Sequence, residues 1–502
     1  MSTAAATTGA AAFGPATRSV GHLQSQCNDP QTLSSDPNSL TDVGGTVFFS
    51  ADDSRHGREL WKSDGTMAGT VLVRDIEPGH GGGYDYYDGP RDLTAVGGTL
   101  FFTADDGNHG RELWKSDGTK AGTVLVKDIN PDDGDGYGYY DGPSDLTAVG
   151  GTLFFSADDG THGRELWKSD GTKAGTVLVK DIDPTDGYDG YGDYSGPSSL
   201  TDVNGTLFFS ADDDTDGREL WKSDGTEAGT VLVKNIYAGD YSGDPQYLVD
   251  AEGTLFFSAR DGSHGRELWK SDGTRSGTVL VKDISPGTGD GYGYGYPGPE
   301  DLTAVGGTLF FTANDGTHGR ELWKSDGTKA GTVLVKDIGP GDYYIGPSYL
   351  TAVQGTLFFR IDDGAHGAEL WKSDGTKAGT VLVRDINSGR YGSDPEDLTA
   401  SGAELFFTAR DGIHGPELWK SDGTQAGTVL VKDIHPCARH DAPTDLTDVG
   451  GTLFFGADDG RHGYELWKSD GTEATTVQVR DINTARAGHG APSGTGKAGP
   501  TG

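Results

Sequence analysis

One stretch of eight residues, Glu-Leu-Trp-Lys-Ser-Asp-Gly-Thr, occurs nine times along this chain of 502 residues. It contains all nine tryptophans, which follow one another at intervals of 48 to 54 residues: Trp61, Trp114, Trp167, Trp221, Trp269, Trp323, Trp371, Trp419 and Trp467. Internal similarity at a period near 50 residues is typical of repeat architectures, in which each copy is one supersecondary unit. The unit and its copy number therefore determine the fold.

The second copy shows how the unit is built. Its residues predict four short strands, rich in aromatic and β-branched side chains, at 93–96, 99–104, 111–115 and 123–129. Gly97-Gly98 and Asp117-Gly118 are turn dipeptides that tolerate a positive φ. Each copy is thus predicted to be a four-stranded antiparallel meander.

A sheet of this size buries both faces only against other sheets, and radial repetition around an axis achieves this. A linear solenoid, the alternative, normally uses units of about 20 to 30 residues. We therefore predict an all-β fold, a β-propeller of nine four-stranded antiparallel blades. A single closed ring is favoured because the copies are too alike to mark a boundary between two rings. The nine tryptophans would be structural and pack between neighbouring blades.

Three segments are expected: a flexible N-terminal segment at 1–35 that would close the ring, the propeller at 36–483, and a disordered Gly/Ala/Pro-rich tail at 484–502. Residues 1–20 lack a basic start and a continuous apolar run, so no signal peptide is evident. The two cysteines, Cys27 and Cys437, would both lie near the seam of a closed ring. Either a disulfide formed in an oxidising compartment or two unrelated thiols would fit that position.

Charge restricts the partners. The chain has 77 acidic and 40 basic side chains, a formal net charge of −37. Such a field repels nucleic acid and anionic membranes, and no apolar run approaches the ~18 to 20 residues of a membrane span. We expect no nucleic-acid partner and no membrane insertion. The acidic turns would either keep a large β protein soluble or bind cations.

The pattern Glu-Leu-Trp-x-x-Asp-Gly-Thr, followed after two residues by Gly-Thr, resembles the ELWxxDGT repeat proteins of bacteria. The resemblance covers nearly nine tenths of the chain. It implies an extracellular or cell-surface location more than an activity, since it supplies no catalytic residues. The turn at 116–123 is also loosely similar to the Asp-box turn of sialidase-like propellers, in which short polar side chains hydrogen-bond the turn backbone.

In a propeller, the loops after the second and fourth strands emerge on one face, which we call the loop face. Tyrosines among Asp and Gly in the connections between blades could stack on sugar rings or, alternatively, pack over neighbouring blades. The adjacent loops repeat Asp-Asp-Gly-x-His-Gly-Arg, whose histidine we expect to hydrogen-bond within its loop rather than to ligate a metal. The candidate ligand-binding residues are Tyr84, Tyr86, Tyr137, Tyr139, Tyr188, Tyr191, Tyr292, Tyr294, Tyr343, His109, Arg111, His162, Arg164, His318 and Arg320.

No cofactor is expected apart from Ca²⁺, for which Asp132, Asp133 and Asp135 are weak candidates without EF-hand spacing. Ninefold repetition of the same side chains does not supply the different groups that catalysis brings to one substrate. We therefore predict a non-enzymatic, secreted or cell-surface propeller that acts as a multivalent binding module. A glycan is the favoured partner among extracellular ligands. One alternative is a structural or self-assembling surface or matrix fibre subunit, and a second is a propeller-type hydrolase or lyase.

Overall fold

The computed structural model describes residues 33–78, 89–131, 142–184, 196–286, 298–339, 346–436 and 441–485. Within these ranges it contains 36 β-strands and no helix. Consecutive strands form nine four-stranded antiparallel sheets, each made by one sequence repeat. The fold is therefore a nine-bladed β-propeller, and the prediction of the fold class is confirmed. No helix in the described residues is long and apolar enough to cross a membrane.

The first strands of the blades lie side by side around the central channel. They are β1 Asn38–Val43, β5 Arg91–Val96, β9 Ser144–Val149, β13 Ser198–Val203, β17 Gln246–Ala251, β21 Glu300–Val305, β25 Ser348–Val353, β29 Glu396–Ser401 and β33 Thr444–Val449. The second strands are β2 Thr46–Asp52, β6 Thr99–Asp105, β10 Thr152–Asp158, β14 Thr206–Ala211, β18 Thr254–Arg260, β22 Thr308–Asn314, β26 Thr356–Asp362, β30 Glu404–Ala409 and β34 Thr452–Asp458.

The third strands carry the Glu-Leu-Trp of the repeat. They are β3 Arg58–Ser63, β7 Arg111–Ser116, β11 Arg164–Ser169, β15 Glu219–Ser223, β19 Arg266–Ser271, β23 Arg320–Ser325, β27 Ala368–Ser373, β31 Glu417–Ser421 and β35 Tyr464–Ser469. The outermost fourth strands are β4 Val71–Arg74, β8 Val124–Lys127, β12 Val177–Lys180, β16 Val231–Lys234, β20 Val279–Lys282, β24 Val333–Lys336, β28 Val381–Arg384, β32 Val429–Lys432 and β36 Val477–Arg480.

The ring closes by repeating at its seam the contact that joins the other blades. The Thr41 hydroxyl donates to the Leu93 carbonyl of the second blade at 3.2 Å. In the same way, the Thr447 hydroxyl of the ninth blade donates to the Leu40 carbonyl of the first blade at 3.4 Å. Strand β33 packs beside β1, so a single ring of nine blades is formed.

The hydrophobic core lies between blades. Trp167 packs in one cluster with Phe101, Leu113 and Val126 of the preceding blade. Above this ring, the Lys127 ammonium lies 4.7 Å from the centroid of Trp167. Cation–π contacts of this kind contribute roughly 0.5–2 kcal/mol. Corresponding clusters join every pair of neighbours, including the ninth and first blades.

The turn between the third and fourth strands, residues 117–123 in the second blade, is held by its own side chains. The Asp117 carboxylate accepts hydrogen bonds from the backbone N–H and hydroxyl of Thr119, at 2.8 and 2.7 Å. Gly118 has φ +83°, and an added Cβ would come within 3.1 Å of Phe48 of the preceding blade. Glycine is therefore required both by the backbone and by the close packing.

The segment at 33–36 holds the ninth blade. The Ser35 amide donates to the Tyr464 carbonyl at 2.9 Å, and its hydroxyl donates to Glu465 at 2.8 Å. The connection after the seventh blade makes the same backbone bond, from the Ser393 amide to the Ala368 carbonyl at 3.0 Å. The residues before the first blade thus make the hydrogen bonds to the ninth blade that a connection between blades makes elsewhere in the ring.

Candidate functional site

A buried glutamate fixes the point at which each connection leaves its blade on the loop face. In the fifth blade, Glu267 accepts hydrogen bonds from the amides of Ile284 and Ser285, at 2.9 and 3.0 Å. It is almost inaccessible to solvent. Burial, with smaller contributions from the charge and a side-chain hydrogen bond of the nearby Asp283, raises the pKa of Glu267 to about 8. The glutamate of the Glu-Leu-Trp motif therefore anchors the backbone.

Each repeated histidine is held by the aspartate three residues before it. The His109 Nδ1 atom lies 3.0 Å from the Asp106 carboxylate, and the same pair in the fifth blade, His264 and Asp261, is separated by 2.7 Å. The hydrogen bond to Asp261 is the main cause that raises the pKa of His264. The Nδ1 hydrogen bond therefore fixes each imidazole within its own loop.

The arginine that begins most third strands spans its own blade towards the channel. In the third blade, the Arg164 guanidinium donates to the Ser144 hydroxyl at 3.1 Å, to the Ser156 hydroxyl at 3.0 Å and to the Gly142 carbonyl at 2.9 Å. In the ninth blade, a tyrosine replaces the arginine, and the Tyr464 hydroxyl donates to the Ala442 carbonyl at 3.0 Å. In both blades this side chain holds the connection against the start of the first strand.

A ring of nine non-glycine residues in the left-handed conformation surrounds the channel mouth on the loop face. They occupy the second position of each first strand, with φ between 53° and 57°: Ser39, Asp92, Asp145, Ser199, Tyr247, Asp301, Tyr349, Asp397 and Asp445. The pairing of first and second strands shifts at this point in every blade. Bulges of this type re-aim side chains and are frequent beside functional sites.

Two cavities open between these positions. The larger has a volume of about 1080 Å³ and lies against the second to fifth blades. Its lining includes Arg91, Arg111, Arg164, Arg218, Asp92, Asp145, Asp244, Ser199 and Tyr247. The smaller, of about 860 Å³, lies against the sixth and seventh blades and the connection to the eighth, and its lining includes Arg320, Arg360, Tyr349 and Tyr391. Of the nine left-handed residues, six line one of the two cavities.

The larger cavity carries both signs of charge at close range. The four arginines face three aspartates, and hydroxyl groups lie between them. Desolvation raises the pKa of Asp145, although the charge of Arg164 acts in the opposite direction. Such a lining suits a polar ligand with both donors and acceptors better than a simple anion or cation.

The structure separates the predicted site residues. Arg111 and Arg164 line the larger cavity and Arg320 lines the smaller one. The imidazoles of His109, His162 and His318 are bound by their aspartates, at 2.8 to 3.0 Å, and none belongs to either lining. Outside the described residues lie Tyr84, Tyr86, Tyr137, Tyr139, Tyr188, Tyr191, Tyr292, Tyr294, Tyr343, Asp132, Asp133, Asp135, Cys27 and Cys437.

The predicted first strand at 93–96 begins two residues after the observed one, Arg91–Val96, and so leaves out the left-handed position. Asp92 and Asp145 precede Leu93 and Leu146, and short polar residues are the non-glycine types that tolerate this conformation best. The repeated polar residue before the leucine was therefore a usable signal. Tyr247 and Tyr349 were not identifiable in this way, because tyrosine has no such preference.

No protein-family model and no curated protein matches the chain. Several solved structures are similar to it. Oligopeptidase B from Leishmania major has a TM-score of 0.41 and 14% identity, with 70% of this chain and 50% of that one covered. Prolyl oligopeptidase B from Galerina marginata has a TM-score of 0.38 and 12% identity, with 68% and 50% covered. A puromycin hydrolase has a TM-score of 0.36 and 15% identity, with 70% and 55% covered.

These comparisons correct the functional prediction. These structures are two oligopeptidases and a hydrolase, so the prediction of a non-enzymatic glycan-binding module is wrong on this comparison. The second alternative, a propeller of the hydrolase type, agrees better with them. The chain spans only about half the length of these structures. At such identities and TM-scores the likeness concerns the fold, and it transfers no substrate or catalytic residue.

Proposed function

We propose that this chain is the propeller of a hydrolytic enzyme and that the larger cavity receives a short peptide, whose cleavage is performed by groups outside the described residues. The observation that carries the proposal is the cavity of about 1080 Å³ at the channel mouth, lined by guanidinium, carboxylate and hydroxyl groups. A peptide offers matching charges at its termini and alternating donors and acceptors along its backbone.

The asymmetry of the ring supports this assignment. Nine blades share one scaffold, yet the left-handed positions beside the cavity change from Asp92 and Asp145 to Ser199 and Tyr247. An elongated ligand lying across these blades would meet acidic, hydroxyl and aromatic groups in turn. Such differences between blades provide the variety of contacts that identical repeats lack.

The repeated imidazoles lie apart from the larger cavity. Their Nδ1 atoms are held by aspartates of the same loops, and none of His109, His162 and His264 belongs to the lining of that cavity. We therefore assign to the residues around the cavity the binding step of the hydrolase.

Binding of fluorescently labelled tetra- to hexapeptides to the purified chain tests the proposal, together with mass spectrometry of the same mixtures. We expect saturable binding without cleavage. Tyr247→Ala and Asp145→Asn should each weaken it by about tenfold, because each removes one contact worth roughly 1–1.5 kcal/mol. Tyr349→Ala, which alters the corresponding ring position at the smaller cavity, is the matched control. Absence of peptide binding, or equal weakening by all three substitutions, would contradict the proposal.

A further inference from the structure

The connection between the eighth and ninth blades contains a histidine that no other connection has at its position. The residue after the Asp-Ile or Asn-Ile pair that ends each repeat is Glu77, Asn130, Asp183, Tyr237, Ser285, Gly339, Asn387 and Asn483 in the other eight blades. In the eighth blade it is His435. This is a single departure, unlike the repeated loop histidines, so a role common to all blades does not explain it.

His435 is directed into the junction rather than towards solvent. Its side chain is only 12% exposed, and its backbone amide is held by Glu417 at 3.3 Å. The imidazole lies against Gly460 of the ninth blade, where an added Cβ would meet Nε2 at 2.5 Å. Glycine at 460 therefore makes the space that the ring occupies.

Two carboxylates face the same point. Asp441 belongs to the connection and Asp458 ends β34 of the ninth blade. One oxygen of each carboxylate and one nitrogen of His435 all lie within 4.8 Å of one another. Within the described residues this is the one such group of three metal-ligating side chains.

The Nδ1 atom of His435 is buried and has no hydrogen-bond partner. Its distance to the Asp441 carboxylate is 3.7 Å, which is too long for a hydrogen bond. Two ligand atoms bonded at about 2.0–2.2 Å to one tetrahedral ion lie roughly 3.3–3.6 Å apart. The observed separation is thus close to that of two ligands of a common ion. A buried polar nitrogen without a partner is otherwise unfavourable.

We propose that His435, Asp441 and Asp458 form a Zn²⁺ site that ties the last connection to the ninth blade. Histidine nitrogen and aspartate oxygen are both ligands of zinc in proteins, and three protein ligands leave a position open for water or a ligand. Ca²⁺ fits less well because it prefers six to eight oxygen ligands. The site joins elements of two blades, so bound Zn²⁺ also stabilises the folded ring.

Isothermal titration of the tag-free, full-length chain with Zn²⁺ tests the site, with metal content measured by mass spectrometry after dialysis. We expect one Zn²⁺ per chain, bound at micromolar or tighter affinity and not displaced by millimolar Ca²⁺. His435→Ala should weaken binding at least about 100-fold, and Asp458→Asn at least about tenfold, because each removes a direct ligand. Added Zn²⁺ should raise the thermal unfolding midpoint of the wild type and not that of His435→Ala.

His366→Ala is the matched control, because it removes an imidazole that is bound to Asp363 in the seventh blade. It should leave Zn²⁺ affinity unchanged. If His435→Ala fails to fold, the isosteric Asp458→Asn variant decides the question. The proposal is overturned if the wild type binds no stoichiometric Zn²⁺, or if both Asp458→Asn and Asp441→Asn bind it as tightly as the wild type.

Discussion

The fourth and fifth blades differ in the two polar side chains that lie near the buried glutamate on the loop face. In the fifth blade, His264 and Asp283 lie beside the buried Glu267. The hydrogen bond to Asp261, with a smaller contribution from the charge of Asp283, raises the pKa of His264. In the fourth blade, aspartate replaces the histidine and asparagine replaces the aspartate. The Asn235 amide there donates to the Asp216 carboxylate at 2.6 Å. Both members of the pair have changed, and a favourable polar contact remains.

This paired change shows what the repeated histidine does. If the imidazole served a ligand, its replacement by Asp216 would not require a compensating change at Asn235. If instead the imidazole faces the carboxylate at the end of the fourth strand, its replacement by aspartate would place two like charges together unless that carboxylate is also replaced by a neutral group. The fourth blade follows the second pattern. The loop histidines are therefore part of the support that holds the connections.

The largest effect is expected from removing the buried glutamate itself. Glu219 accepts three amide hydrogen bonds, from Ile236, Tyr237 and Gly243, at 2.9 to 3.0 Å. Glu219→Ala should lower the free energy of unfolding by about 4 kcal/mol, since buried donors lose their acceptor. Glu267→Ala, which removes two such bonds among described residues, should lower it by about 3 kcal/mol.

Urea unfolding followed by tryptophan fluorescence measures both changes. Glu227→Ala, at an exposed turn position of the fourth blade, is the control and should stay within about 0.5 kcal/mol of the wild type. A loss below 1 kcal/mol for Glu219→Ala would show that the anchoring role is wrong.

The second prediction concerns pH. Burial raises the pKa of Glu267 in the folded state to about 8, above its value near 4.5 in the unfolded chain. The folded state therefore binds more protons, and this contribution to stability is complete below pH 4.5 and lost as the pH rises through 8. Glu267→Gln removes the titration while keeping an oxygen for the amides. Between pH 5 and pH 9 the variant should lose about 2 kcal/mol less than the wild type.

Urea unfolding at a series of pH values gives this difference, in which all other titrating groups cancel. Glu227→Gln serves as the control for loss of one exposed charge and should follow the wild-type curve. Parallel curves for wild type and Glu267→Gln would mean that Glu267 is ionised throughout this range.

A third prediction transplants the fourth-blade pair into the fifth blade. His264→Asp and Asp283→Asn should each destabilise the chain, and the double variant should be more stable than the sum of the two losses predicts. We expect a coupling energy of about 1 kcal/mol in a double-mutant cycle. His264→Asp combined with Asp337→Asn, in the sixth blade, is the control cycle and should be additive. Additivity in the fifth blade as well would refute the compensation.

The fold was predictable from sequence because each repeat carries its own complete pattern of strands and turns, and the spacing of the tryptophans gives the number of blades. The glutamate anchors were not predictable. Glu267 is the second residue of a third strand, and its amide partners Ile284 and Ser285 belong to a segment about 17 residues later. Which backbone groups it meets depends on how the connection leaves the blade.

The candidate site was predictable in part. The arginines at the start of the third strands reach the cavity, as Arg111 and Arg164 show. The histidines two residues earlier do not, because hydrogen bonds to nearby aspartates hold them in the loops. The left-handed ring depends on a bulge between first and second strands, and a bulge follows from pairing register rather than from local composition.

The smallest expected effect is on the pKa of His264, the histidine that the fourth blade lacks. The main cause of the raised pKa of His264 is its hydrogen bond to Asp261, and the imidazole is about 40% exposed. Asp261→Asn should therefore lower this pKa, as measured by NMR titration, while unfolding free energy changes by no more than about 0.5 kcal/mol. Asp283→Asn should lower it less, since Asp283 acts through its charge alone. If Asp283→Asn lowered the pKa of His264 more than Asp261→Asn does, Asp283 rather than the loop aspartate would be the principal partner of the imidazole.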